Sequence, residues 1–332
     1  MQNRYAMLTV DTEALPARAA VDHVRRLVWG EHVAGRAGIR EMCAIGTEFS
    51  APHVFFVDMC GDQLYPGEMA EVVRWLDGQG QDVQLHLHPE ILPASFWEQH
   101  GLSQRPRYMN EYGDAARAGF VIQFFSERLR VLTGRPVQAY RAGSFRWNGD
   151  IIRALGRAGI PLSFNNSMRA HGLGRSPHAE PTNRPYAWSN GVIEVPVTER
   201  YYPADPQRGK SEKWVSLMFP QSSYFQYTAP QLPWWRRWLP GPTDLQVFLL
   251  HSWSLLHWDD NHHAIHLGEQ RQEEYRQLVA RIVKDYDVIT TTDLLDLMKR
   301  RKIKVRQVVS LQQADPVGTV PVPMTGHSSS GF

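Results

Sequence analysis

Leu85-His86-Leu87-His88-Pro89-Glu90 sets two imidazoles one residue apart at the end of a run that proline halts. Alternate side chains of an extended chain share a face, so His86 and His88 project together while Leu85 and Leu87 face the other way. Two protonated imidazoles repel and two neutral ones gain little from each other, whereas a divalent cation accepts a lone pair from both. Taken alone, the pair also fits two strand histidines satisfied by backbone groups. Three other segments bear on the choice. Thr9-Val10-Asp11-Thr12-Glu13 ends an apolar run in two carboxylates, and a metal-dependent hydrolase needs one to hold the cation and one to take a proton from water. Tyr140-Arg141-Ala142-Gly143-Ser144-Phe145-Arg146-Trp147-Asn148 reads as a strand end, a small-residue turn and a helix start. Arg141 there can pair with a carboxylate and hold it ionised, and Asn148 can cap the helix. Val247-Phe248-Leu249-Leu250-His251-Ser252-Trp253-Ser254 delivers His251 at a strand end, placed to protonate a leaving amine.

These residues need a scaffold that brings them together. Strand candidates are Tyr5 to Val10, His53 to Val57, Asp82 to His86, Ala139 to Arg141, Leu162 to Asn165, Val192 to Val195, Val247 to Leu250 and Asp287 to Thr290. Helical patterns lie between them at Met69 to Gly78, Ala116 to Thr133, Asn148 to Ala158 and Glu269 to Tyr286. The alternation predicts an α/β fold with a mainly parallel sheet, and strands in single file suggest a closed or nearly closed barrel. Each chemistry-bearing residue falls just after a strand, where such folds place their sites. A barrel over residues 1–300 is expected, with loop insertions around 168–186 and 201–242. Residues 301–332 form an extension that is rich in Pro, Gly and Ser from Gln312 onward and expected to be disordered from about 312.

Composition narrows the setting. At 332 residues and 42% hydrophobic content the chain can bury a large core, which excludes disorder of the whole. Lys and Arg total 36 against 34 Asp and Glu, a balance that does not point to nucleic acid. The two cysteines, Cys43 and Cys60, fit no disulfide or zinc-ribbon framework. The first residues do not read as a signal peptide and no apolar stretch is long enough for a membrane span, so the expectation is a cytoplasmic enzyme. No oligomerisation signature is visible.

In order along the chain, Asp-x-Glu, Phe-Phe-Val, His-x-His, Arg-Ala-Gly-Ser-Phe, Glu-Val-Pro-Val-Thr and Leu-His-Ser-Trp-Ser resemble the polysaccharide deacetylase family, the NodB-homology metal-dependent carbohydrate esterases. The resemblance spans about residues 5 to 298. It implies a distorted (β/α) barrel of seven or eight mainly parallel strands and hydrolysis of an N-acyl group, usually acetyl, from an amino sugar. Carried over by position, it makes Asp11 the general base, Glu13 and His86 metal ligands, Arg141 the residue that orients the base and His251 the general acid. Phe145, Trp147 and Trp253 are placed around the acyl pocket. Asn165 and Asn166 stand where the family often has an acidic residue tuning the late histidine, so that relay is altered or absent. The family's second histidine lies four residues after the first, where this chain has Glu90; His88 is taken as the third ligand, with Glu90 as the alternative. Asp-Thr-Glu also departs from the family's adjacent aspartates.

The implied cofactor is a Zn²⁺-class cation, with Co²⁺, Ni²⁺ or Fe²⁺ also fitting nitrogen and carboxylate ligands. A cytoplasmic setting points to a nucleotide- or lipid-linked amino sugar of a surface-glycan pathway. Trp234, Trp235, Arg236, Arg237 and Trp238 combine interfacial aromatics with cations and are a candidate for peripheral contact with the inner membrane face. Two other readings stay open: deformylation or deacylation of a non-sugar amide, and a catalytically silent glycan-binding protein.

Overall fold

Residues of β1 (Arg4–Thr12) sort by parity. Tyr5 and Met7 belong to one apolar cluster, and Ala6, Leu8 and Val10 to a second. Every strand beside it repeats this division, as a strand buried on both faces must. The computed structural model describes residues 4–105, 107–111, 115–221, 244–305 and 307–315. Its principal sheet adds β2 (His53–Asp58), β3 (Asp82–Leu87), β4 (Ala139–Ala142), β5 (Leu162–Ser163), β6 (Tyr186–Trp188), β7 (Ile193–Glu194), β8 (Asp244–His251), β9 (Asp287–Val288) and β10 (Val308–Val309). The spatial order is β8-β1-β2-β3-β4-β5-β7-β6-β10, with β9 paired to the beginning of β1. All pairings are parallel except β6 with β7.

The sheet curls until its ends are bridged. The segment leaving β7 bonds β5 through Val195 N–H to Ser163 O, and three residues later Thr198 N–H bonds Val247 O of β8. Leu217 to Phe219 then runs along β8, with Leu249 N–H donating to Leu217 O and Phe219 N–H to Leu249 O. The enclosed face carries Met7, Val54, Phe56, Ala139, Leu162, Phe164 and Val247. The outer face carries Leu8, Phe55, Leu85, Tyr140 and Phe248, covered by helices. These are α1 (Ile39–Glu48), α2 (Glu68–Gly78), α3 (Ala115–Thr133), α4 (Gly149–Ala158) and α5 (Gln270–Asp285), whereas α6 (Thr291–Lys299) packs Leu294 into the inner cluster. Asn148 caps α4 as its sequence suggests, its Oδ1 accepting from Asp150 N–H at 3.1 Å and Ile151 N–H at 3.3 Å.

The eight expected strands and four expected helices all form. The additions include α1, α6, short helices such as Ala94–Gln99, the short strands β6 and β10, and three small hairpins off the main sheet. β6 and β10 span three and two residues within irregular stretches, with too little alternation to read as strands. The loop around 168–186 contains a short helix, Met168–Gly172. The region 201–242 begins inside an antiparallel hairpin, Glu199–Tyr202 with Lys213–Ser216. Trp234, Trp235, Arg236, Arg237 and Trp238 lie outside the described residues. The extension after 300 is part of the fold: Ile303 sits in the inner cluster and β10 pairs with β6. Contacts with the fold continue through residue 315. Leu311 N–H bonds Ser189 Oγ, Leu311 and Ala314 are buried, and Asp315 pairs with Arg153 at 2.6 Å. Among the described residues no helix is long and apolar enough to cross a membrane.

One outer-face contact has a measurable consequence. His53 of β2 is buried with its Nε2 2.5 Å from the Tyr275 hydroxyl of α5, and burial pushes the imidazole down to about 4. The unfolded chain binds a proton near pH 6.5 that the folded ring refuses until about pH 4. Stability from this group is therefore full above pH 6.5 and is lost on acidification through that window, by on the order of 3 kcal/mol. His53→Gln should flatten that part of the melting temperature's dependence on pH; unchanged slopes in the variant would contradict this.

Candidate metal centre

The inner-face parity that places Met7, Phe56 and Val247 in the barrel interior carries polar residues to its rim. Continuing in steps of two, β1 ends in Thr9 and Asp11, β2 in Asp58, β3 in His86, β4 in Arg141 and β8 in His251. Register puts Asp11 opposite His251, Asp58 opposite His86, and His86 opposite Arg141. Glu13 and His88 extend the same rows just past their strands. Asp11, Glu13, Asp58, His86, His88 and Arg141 are all buried.

Both histidines aim one nitrogen at the same carboxylate. His86 Nε2 lies 3.0 Å and His88 Nε2 3.3 Å from Glu13 Oε1. The opposite nitrogens are held elsewhere. His86 Nδ1 is 2.9 Å from Arg141 O, which only a protonated Nδ1 can use, and His88 Nδ1 is 2.7 Å from Glu90 Oε1. This leaves each Nε2 as the lone-pair side, the tautomer a metal ligand needs and its outer partner enforces. Glu90 thus meets His88 from behind, away from Glu13. His88 Nε2 is buried without a hydrogen-bond partner, and a cation between the two rings and Glu13 would satisfy it. Two imidazoles and a carboxylate fit a Zn²⁺-class ion. Asp11, Glu13 and His251 form a second converging group that shares Glu13, their donor atoms lying within 4.8 Å of one another.

Charges in this pocket are strongly coupled. Burial pushes the Glu13 carboxyl up, but the His88 and His86 imidazoles outweigh it and hold it well below the usual carboxylate range. Burial would lower His88, yet Glu90 and Glu13 raise it well above the ordinary imidazole value. Glu90 is raised by burial and lowered further by His88. Burial pushes His251 down, against the pull of Glu13 and Asp11.

Arg141 crosses the barrel from β4 to β1. Its Nη1 donates to Asp11 Oδ1 at 2.6 Å and its Nη2 to Thr9 Oγ1 at 2.9 Å, while the guanidinium lies 4.3 Å from the centre of the Phe56 ring. The turn after it lies tightly against the histidines: a Cβ on Gly143 would meet His88 Cγ and Leu87 O at 2.6 Å, so only glycine fits. Asn165 Oδ1 accepts from Ala142 N–H at 2.7 Å, and Asn166 bonds Glu180 N–H and the Tyr186 hydroxyl. Both asparagines therefore brace loops. His251 stacks on Trp253, with ring centroids 5.0 Å apart and planes at 15°. Ser252 N–H bonds Asp11 O, and the Ser252 hydroxyl is 3.3 Å from Glu13 O, tying the end of β8 to both acids.

Of the three aromatics expected near the acyl group, Trp253 is beside the site and Phe145 is half-buried on the Arg141 turn. Trp147 is corrected: it is fully buried, edge-on to Trp188 at 5.7 Å, and packs in the outer core. Its apolar ring finds cover at the start of α4, where the chain has already turned away from the rim. Asp58 was not singled out in the sequence. Its Oδ1 accepts from the backbone N–H of His88 and Cys60, both at 3.1 Å, and burial pushes its carboxyl up. The signal was present, since Phe55-Phe56-Val57-Asp58 ends β2 in an acid as β1 ends in Asp11.

Replacing Arg141 should reveal how much the pair matters. Arg141→Leu leaves Asp11 buried without its partner and should cost about 3 to 5 kcal/mol of stability by denaturant unfolding. Adding Asp11→Asn to it should recover part of that loss; full additivity would show that the two do not interact.

No family model matches the sequence, and the curated proteins give no match. Solved structures do. A candidate polysaccharide deacetylase from Mycobacterium smegmatis is similar over 93% of this chain and 94% of its own, at 15% identity and a TM-score of 0.54. An allantoinase is similar over 91% of this chain and 92% of its own, at 11% identity and a TM-score of 0.50. A 4-alpha-glucanotransferase from Thermococcus litoralis matches over 93% of this chain and 42% of its own, at 13% identity and a TM-score of 0.52. At such identities the likeness concerns the fold: this chain has the distorted, mainly parallel α/β barrel of a polysaccharide-deacetylase structure, matched nearly end to end.

Proposed function

We propose that this protein is a metal-dependent hydrolase that removes an N-acyl group, in the first instance acetyl, from an amino sugar carried on a nucleotide or a lipid. One observation carries the reading: two buried imidazoles present their Nε2 atoms to Glu13 while separate acceptors hold each Nδ1. The fold's likeness to a candidate polysaccharide deacetylase supports a carbohydrate substrate.

In this reading Glu13, His86 and His88 hold the cation, and Glu90 orients His88 without binding metal. A Zn²⁺-class ion bound there, or Co²⁺, Ni²⁺ or Fe²⁺, supplies Lewis acidity to the amide carbonyl and to a water molecule. Asp11, one oxygen fixed by Arg141, takes the proton of the attacking water. His251, steadied on Trp253, gives a proton to the departing amine as the C–N bond breaks, so that water and amide become carboxylate and amine. Donor atoms of Asp11 and His251 lie within 4.8 Å, a short path for that proton. Trp253 and Phe145 border the acyl group.

Elemental analysis of protein purified without chelator should find stoichiometric metal, and amine release from N-acetylated UDP-sugars should stop when chelator is added. Release that persists in metal-free protein would overturn the reading. Asp11→Asn should keep its metal and lose at least about a hundredfold in rate, whereas His86→Ala should lose the metal. Glu90→Gln should weaken metal affinity by roughly 10- to 100-fold, as expected of an outer partner, and His88→Ala should abolish it. Metal retained by His88→Ala and lost by Glu90→Gln would reverse that assignment.

A further inference from the structure

Arginines that the hydrolytic steps do not use gather beside the His88–Glu90 pair. Beyond Gly143 the chain passes through Ser144 and Phe145 at φ 52° and 55°, a left-handed pair that sets the direction of Arg146. The Arg146 guanidinium lies over the Tyr108 ring, 4.0 Å from its centre, and Arg107 lies over the same ring at 5.5 Å. Asn110 Nδ2 donates to Gly174 O at 3.3 Å, which draws the Tyr108 segment against the loop carrying Arg175. Arg169 comes from the short helix Met168–Gly172 leading into that loop, and its backbone N–H lies 3.3 Å from Glu199 Oε2.

Arg146, Arg169 and Arg175 are all half-buried. Arg146 and Arg169 form no ion pair with a carboxylate among the described residues. Burial pushes the Arg175 guanidinium down, and repulsion from Arg146 and Arg169 adds to it. Arg146 N–H donates to Gly143 O at 2.9 Å, and Gly143 lies against the His88 ring; Arg175 N–H donates to Ala170 O at 3.1 Å, next to Arg169. Like charges held together against repulsion suit a multivalent anion, whose oxygens accept from several planar N–H forks at once.

We propose that Arg146, Arg169 and Arg175, braced on Tyr108 beside the His88–Glu90 pair, form the subsite for a phosphate or diphosphate group on the substrate. The sugar would then sit between this subsite and the rim, its N-acyl group toward Asp11 and His251. That placement rests on the hydrolase reading above; the anion site itself does not. Both a nucleotide and a lipid carrier present the same diphosphate chemistry to these arginines.

Calorimetric titration of the metal-loaded protein with inorganic pyrophosphate tests the site without turnover. His86→Ala, used as a control for pyrophosphate sitting on the metal, should bind within about threefold of wild type, whereas Arg146→Ala and Arg175→Ala should each lose about tenfold or more. Should Arg175→Ala fail to fold, Arg146→Ala and Arg169→Ala, checked by thermal melting, decide the matter. Unchanged binding in the folded arginine variants, or binding lost in His86→Ala alone, overturns the proposal. UDP binding more tightly than pyrophosphate would support the site with a nucleotide carrier, and geranyl diphosphate doing so would support it with a lipid carrier. Pyrophosphate binding without amide hydrolysis defeats the hydrolase reading and leaves the anion site standing; hydrolysis without arginine-dependent binding does the reverse.

Discussion

A guanidinium buried at the top of an apolar barrel is the constraint on which the rim depends. Arg141 lies over Phe56 with no exposure to solvent, and its charge is tolerable only because Asp11 and Thr9 reach it from across the barrel. That requirement fixes the distance from β4 to β1 and so the span over which β2 and β3 must present Asp58 and His86. It also pins one oxygen of Asp11. The same side chain's backbone carbonyl accepts from His86 and settles which imidazole nitrogen faces Glu13. One residue thus joins the packing of the interior to the protonation state of the site.

Around this centre the chain uses small residues and hydroxyls to let large groups meet. Gly143 allows the His88 ring to lie against the turn, and Ser252 ties the end of β8 to Glu13 and Asp11. Asp58 secures the His88 backbone from the neighbouring strand. Buried carboxylates brace the surrounding loops as well: Glu194 accepts from Ser163 Oγ and from the Asn165 and Asn166 N–H groups, and Glu199 accepts from Ser167 and Ser216. Burial pushes both of these carboxyls up, as expected where hydrogen bonds rather than cations surround an acid. They hold the loops that flank the rim.

The positions of the main strands, and six polar residues at their ends, were legible in the chain because both follow from period-two patterning and from position at a strand end. Asp11, Glu13, His86, His88, Arg141 and His251 each close an apolar run, and the parallel barrel brings those ends to one side. Trp147 shows the limit of that reasoning. It lies two residues from Phe145 in a motif that looks like a pocket wall, yet its ring is in the outer core against Trp188. Sequence proximity does not report direction once a turn with left-handed residues intervenes.

What the sequence determined by itself is the set of groups and their common height in the barrel, since alternation along a strand leaves no freedom in which face a side chain takes. Only the tertiary structure decided which atoms face one another. Whether His88 or Glu90 faces Glu13 depends on a ring orientation set by contacts from Gly143, Asp58 and Glu90 together, none of which a local pattern encodes. The His-x-His run supplied two imidazoles; the packed barrel turned them so that each Nε2 points inward and each Nδ1 is already engaged.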